Sequence, residues 1–175
     1  MREFLIFVVV LATVFNTGSI NTANEFSFKI TTKHDHDHVV VTVENDKTVF
    51  SVHSPRGIGQ AVIEQSDPKW PESMILRLHL NGLERFQITN GKITLSAAEF
   101  RHPDGQNVRL WKDGHEDLPL DSKSPYWMEI RRIGGDGKPA TAIPRKGGYL
   151  EMLLPKTFFE GHPKSVTLNW IDFYR

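Results

Sequence analysis

Hydrophobic and polar residues alternate along most of this chain with a period of two. The alternation is present over residues 26–30 and again over residues 74–80. A period of two places every second side chain on one face of a β-strand, and no segment keeps the 3.6-residue period of an amphipathic helix. Two β-branched runs, 39–43 and 48–52, flank the turn-forming sequence Glu-Asn-Asp-Lys. This arrangement predicts a β-hairpin.

A second hairpin is predicted at Asn90-Gly91, because this dipeptide is preferred in two-residue type I′ turns. A two-residue loop there places four apolar side chains on one face of the hairpin. The predicted cross-strand pairs are Ile88 with Ile93 and Phe86 with Leu95.

Further strands are predicted over residues 108–111, 126–133, 149–154 and 166–174, with a single helical turn over 156–160. Segments rich in Gly, Pro and Asp separate these strands. Eight or nine short strands with such turn signals predict one all-β domain. The expected fold is an antiparallel β-sandwich or jelly roll with at most one short helical turn.

The N-terminus has the features of a secretory signal peptide. A basic residue precedes the apolar run 4–15, and small polar residues follow it, with cleavage expected after Ala23 or after Ser19. The run is too short to span a bilayer, which takes about 20 apolar residues. We therefore expect a secreted or periplasmic protein without membrane association after cleavage. Its expected parts are a signal peptide (1–23), a flexible His/Asp-rich segment (24–38) and a single β-sandwich domain (39–175).

Charge and cysteine content exclude several classes of function. The chain has 21 Lys and Arg against 21 Asp and Glu, and a neutral domain is not steered towards nucleic acid. It has no cysteine, which excludes disulfides, a thiol nucleophile and a thiolate metal site. Stability must therefore come from a packed core.

The sequence His-Asp-His-Asp-His at residues 34–38 is a candidate metal site. In an extended chain His34, His36 and His38 point to one side, where three imidazoles suit Zn or Cu, while the two carboxylates suit Ca. The simpler interpretation is a solvated segment near the new N-terminus that binds such metals only weakly. The sequence favours this simpler interpretation, because it identifies no residues that would orient the imidazoles.

Adjacent aromatic residues at 126–127 and 173–174 form a second candidate site. Neighbours in a strand face opposite ways, so one ring of each pair must leave the main core. Exposed rings beside charged groups could bind sugars, but both rings of a pair could also be packed, and the sequence favours packing. The predicted ligand-binding residues are Tyr126, Trp127, Arg131 and Asp172.

Five segments taken together resemble a group of uncharacterised secreted bacterial β-domain proteins. They are SPRGIGQAVI, LRLHLNGLERFQITNG, SPYWMEI, GGYLEMLLP and SVTLNWIDFYR, which lie within residues 54–175. WIDFYR is the most distinctive piece, and the histidine segment lies outside the resemblance. The last strand is also loosely similar to that of jelly-roll carbohydrate-binding modules. The resemblance implies an exported β-domain and identifies no catalytic residue or cofactor.

These observations predict an exported, non-catalytic binding domain whose partner is a glycan or an extracytoplasmic protein. Two alternatives remain open. One is a hydrolase or lyase acting on extracellular polysaccharide, although the chain carries no recognisable catalytic motif. The other is a metal-binding protein that uses residues 34–38 with Zn, Cu or Ca, and no other cofactor is expected.

Overall fold

Twelve strands form two sheets in the computed structural model. It describes residues 18–21, 26–55, 57–65, 69–80, 83–98, 109–112, 123–140 and 147–172. The seven-stranded sheet contains, in spatial order, β1 (Gly18–Asn21), β2 (Ser27–Thr32), β5 (Ile58–Gln65), β12 (Ser165–Asp172), β7 (Leu83–Thr89), β8 (Thr94–Ala98) and β9 (Arg109–Lys112). The five-stranded sheet contains β10 (Ile130–Ile133), β11 (Tyr149–Leu154), β6 (Met74–His79), β4 (Lys47–His53) and β3 (His38–Glu44).

The two sheets share one hydrophobic core, which confirms the prediction of an all-β sandwich. Inward-facing residues alternate with more exposed ones along β5, β6 and β12, as the period of two requires. Buried residues of both sheets belong to a single cluster, with Phe28 and Trp170 from one sheet and Phe50 and Leu76 from the other. The only helical element among the described residues is a 3-10 turn at Lys156–Phe159, where a single helical turn was expected.

One strand pair departs from the antiparallel arrangement that the sequence predicted. Of the ten strand pairs in the described ranges, nine are antiparallel, and β4 with β6 is parallel. The chain leaves the five-stranded sheet after β4, forms β5 in the other sheet and returns as β6. Because β5 crosses to the opposite sheet, β6 runs in the same direction as β4.

The hairpin at Asn90 has a longer loop than the sequence predicted. Thr89 pairs with Thr94 and Ile88 with Leu95, so the register differs by two residues from the predicted one. The buried Asn90 causes the difference, because its side-chain oxygen accepts hydrogen bonds from the amides of residues 92 and 93 while its amide group donates to Phe158. A shift of two residues keeps the same side chains on the buried face.

Part of the segment expected to be flexible, residues 24–38, forms a regular strand. Ser27–Thr32 form β2, with Phe28 and Ile30 buried in the core, and a turn leads into β3 at His38. The predicted signal peptide lies outside the described residues except for β1, which pairs with β2. None of the described residues forms a helix long and apolar enough to cross a membrane.

The indole of Trp170 packs closely against the backbone of Gly59. The two residues are register partners in β5 and β12, and Trp170 is 1 % exposed. A Cβ atom on Gly59 would lie 2.0 Å from Cζ2 of the indole. Only glycine therefore allows the indole to lie across β5.

We expect Gly59→Ala to lower the free energy of unfolding by about 2–3 kcal/mol, because the methyl group and the indole cannot occupy the same space. Urea denaturation measures the change. In a Trp170→Leu background, which removes the indole, the same glycine substitution should add little further loss. Equal losses in both backgrounds would contradict this explanation.

Candidate functional site

The outer face of the five-stranded sheet carries a line of four rings that crosses four neighbouring strands. His38 in β3 pairs with His53 in β4, and His53 pairs with His79 in β6. Tyr149 in β11 completes the line beside His79. Val52 and Leu78, which directly precede His53 and His79 in their strands, are buried in the core. Neighbouring residues of a strand point to opposite faces, so the rings lie on the outer side of the sheet. We call these four residues the ring row.

Three rings of the ring row, those of His53, His79 and Tyr149, are in contact. The imidazole centroids of His53 and His79 are 4.1 Å apart, and the ring planes differ by 13°. The His79 and Tyr149 centroids are 4.8 Å apart, and these rings are tilted by 40°. The His53 and His79 imidazoles therefore cover one face of each other, and Tyr149 lies tilted against His79 on the outer side of the sheet.

A row of charged residues lies beside the ring row and centres on Arg77. Its guanidinium donates two hydrogen bonds to Glu44, at 2.8 and 2.9 Å, and one to Glu151, at 2.9 Å. The same group lies 5.5 Å from the centre of the Tyr149 ring. Next along the sheet, Arg131 pairs in register with Glu151 and forms an exposed ion pair with Glu129. We call these five residues the charged row.

The pKa values of His53 and His79 are lowered, which favours the neutral form of these two imidazoles. Burial, with the neighbouring His53 and Arg77 charges, lowers the pKa of His79 to about 4. Burial and the His38 charge also lower the pKa of His53. Neutral imidazoles both donate and accept hydrogen bonds at neutral pH.

The charged row, together with Lys47 opposite Glu44, carries balanced charge. Arg77 and Arg131, together with Lys47 opposite Glu44, match the three carboxylates of Glu44, Glu129 and Glu151. The guanidinium of Arg77 holds the pKa of Glu44 below its ordinary value. This face therefore offers flat rings and hydrogen-bonding groups without a large excess of one charge.

The four predicted ligand-binding residues lie in different environments. Trp127 is 41 % exposed, whereas Tyr126 packs against the core and has the Lys112 ammonium 4.3 Å from its ring centre. Arg131 belongs to the charged row. Asp172, at the end of β12, is only 4 % exposed. It is therefore buried, whereas Trp127 and Arg131 lie on the surface.

The histidine segment forms a turn that divides its three histidines. The His34 and His36 rings stack with centroids 5.3 Å apart, while His38 joins the ring row. The Asp37 amide donates to the His34 carbonyl, and the Asp37 carboxylate is fully buried with the Ser54 hydroxyl donating to it at 2.6 Å. Within the described ranges, no three His, Asp or Glu side chains are grouped to hold a metal ion.

Sequence reasoning did not include His53 or His79 among the predicted site residues. The pattern does contain a signal, since each is a polar residue at the outward position of an alternating strand. That signal shows which face each ring occupies. It does not show that the two strands are neighbours, which depends on the parallel pairing of β4 and β6.

Comparisons of this chain with protein-family models, with curated proteins and with solved structures gave no match.

Substituting Ser54 tests the buried turn. Ser54→Ala removes the hydrogen bond to the buried Asp37 carboxylate, whose other oxygen has no hydrogen-bond partner among the described residues. We expect a loss of about 2–3 kcal/mol in the free energy of unfolding. Asp35→Asn changes an exposed carboxylate of the same turn and should have little effect. Wild-type stability of Ser54→Ala would show that this contact contributes nothing.

The low pKa of His79 makes stability depend on pH in a defined window. The unfolded chain takes up a proton near pH 6.5, whereas folded His79 does so only near pH 4. The contribution of His79 to the free energy of unfolding is therefore fully present above pH 6.5. As the pH drops towards 4, the free energy of unfolding falls by about 1–2 kcal/mol after solvent screening.

Thermal unfolding at several pH values measures this dependence. His79→Asn should flatten the curve between pH 6.5 and 4. His162→Asn, at an exposed position outside the ring row, should leave it unchanged. An unchanged curve in the His79 variant would contradict the assignment.

Proposed function

We propose that this protein is an exported, non-catalytic domain that binds a neutral carbohydrate chain on the outer face of the five-stranded sheet. The observation that carries the proposal is the ring row, in which the His53 and His79 imidazoles stack and Tyr149 lies tilted against His79, so that three rings in contact line the outer face. Sugar hydroxyls can bond the imidazole nitrogens and the phenol hydroxyl along this row, and C–H groups of the sugar can pack against the ring surface that the row leaves exposed.

The charged row supports a sugar as the ligand, because it places hydrogen-bonding groups beside the rings. Glu151 accepts one hydrogen bond from Arg77 and retains further acceptor capacity for sugar hydroxyls. The neutral imidazole of His79 provides both a donor and an acceptor in the same area. Balanced charge favours a neutral chain over a polyanion.

An elongated ligand fits the arrangement better than a compact one. The ring row extends over four adjacent strands, and neighbouring strands are about 4.8 Å apart. Successive sugar units of a chain could therefore contact successive strands. Trp127 and Arg131 lie on the β10 side of this sheet, where a longer chain would continue.

Catalysis on a polysaccharide is the second candidate, and the contact of neutral His79 with Tyr149 favours it. A lyase could use such a pair as base and acid. One ring would remove the proton on the carbon beside a uronate carboxylate, and the other would protonate the oxygen that leaves as the C–O bond breaks. It would also need a free cation to neutralise the uronate, and Arg77 is already paired with two carboxylates. A hydrolase needs a carboxylic acid with a raised pKa, whereas the pKa of Glu44 is lowered. Binding alone is therefore the better-supported function.

Binding to a panel of neutral oligosaccharides tests the proposal. Calorimetry with the best ligand from a glycan array should show at least about tenfold weaker binding for Tyr149→Ala and for His53→Ala, since each loses one stacking surface. Ile58→Ala removes an exposed apolar side chain from the other sheet and should bind normally.

Two results would contradict carbohydrate binding on this face. One is the absence of any bound glycan, and the other is full affinity in both ring-row variants, with folding checked by circular dichroism. Weaker glycan binding by Trp127→Ala would show that the ligand extends towards β10. Formation of unsaturated ends in uronate polymers would instead support the lyase candidate.

A further inference from the structure

The outer edge of β3 is an open strand edge. β3 lies at the end of the five-stranded sheet and pairs with β4 through seven consecutive residue pairs, without a bulge. Among the described residues, no segment pairs with its other side. Within the described ranges, its outward N–H and C=O groups therefore have no strand partner, as at the edge of any open sheet.

β3 also lacks the features that usually protect an edge. The strand His-Val-Val-Val-Thr-Val-Glu contains no Pro, Gly or Lys, and five of its seven residues are β-branched. Val40 and Val43 are 42 % and 39 % exposed. A regular, apolar and uninterrupted edge of this kind favours pairing with another chain.

The opposite edge of the same sheet is different. β10 has only four residues, and a bridge joins Ile133 to Pro139. The Ala140 amide also donates to the Arg132 carbonyl. The chain therefore covers part of this edge itself, and β3 is the edge of this sheet better suited to pairing.

The sequence of β3 is complementary to itself in the antiparallel direction. A two-fold axis at Val41 places His38 opposite Glu44 of a second copy and Val39 opposite Val43 of that copy. Val40 then faces Thr42, so β-branched residues meet at every inner position. This register keeps outward residues with outward residues and uses all seven positions.

We propose that two copies of this protein pair through β3, antiparallel about Val41, and join their five-stranded sheets into one sheet of ten strands. The pairing adds main-chain hydrogen bonds and covers the exposed Val43 with Val39 of the other copy. A single strand pair buries less area than a typical stable interface, so the dimer depends on protein concentration. The proposal does not depend on carbohydrate binding.

Sedimentation of the purified protein over a wide concentration range tests the dimer. The protein should shift from monomer to dimer, and Val40→Lys with Val43→Lys should weaken association at least about tenfold, because lysine at an edge opposes pairing. Leu153→Lys is the matched control, since Leu153 is 41 % exposed on the same sheet but lies in an inner strand. A monomer at every concentration, or a dimer unaffected by the two lysines, would overturn the proposal.

Single cysteines test the register, because the chain has no cysteine of its own. Residue 41 meets its own copy across the axis at a Cα separation of about 4.5–5.5 Å, which a disulfide can bridge. Val41→Cys should therefore form a crosslinked dimer under mild oxidation. Residue 43 faces residue 39 of the other copy, so Val43→Cys should not form a crosslinked dimer. Crosslinking of Val43→Cys without crosslinking of Val41→Cys would overturn the register.

Discussion

The parallel pairing of β4 and β6 determines how the outer face of the five-stranded sheet is built. The crossing of β5 into the other sheet forces this direction, and the resulting register sets His53 against His79 and Ser51 against Arg77. An antiparallel pair would bring other residues together, and neither the ring row nor the charged row would exist in its present form. The carbohydrate proposal rests on this register, whereas the dimer proposal rests on β3 alone.

The sequence predicted the fold class and most strands, because one face of each strand is buried and leaves a period of two. β11 matches its predicted range, and the 3-10 turn at Lys156 lies where a helical turn was expected. Strand direction and sheet order were not predictable, since alternation does not show which strands are neighbours. The loop at Asn90 was mispredicted for a local reason: its buried side chain bonds two amides and Phe158.

The candidate sites were predictable only in part. Arg131 and Trp127 lie at the surface, and His38 belongs to the ring row, although sequence reasoning linked it with His34 and His36. Asp172 is buried because it continues the inward-facing series of β12. The contacts of Arg77 with residues 33 and 74 positions away in the chain, Glu44 and Glu151, leave no local signal in the sequence.

The two carboxylates on Arg77 have a consequence for how this face would respond to salt. Because the cation is neutralised within the protein, a ligand meets dipoles and ring surfaces, and little long-range field reaches into the solvent. Contacts of this kind act at short range and are hardly screened by dissolved ions. The carbohydrate affinity proposed for this face would therefore change little with ionic strength.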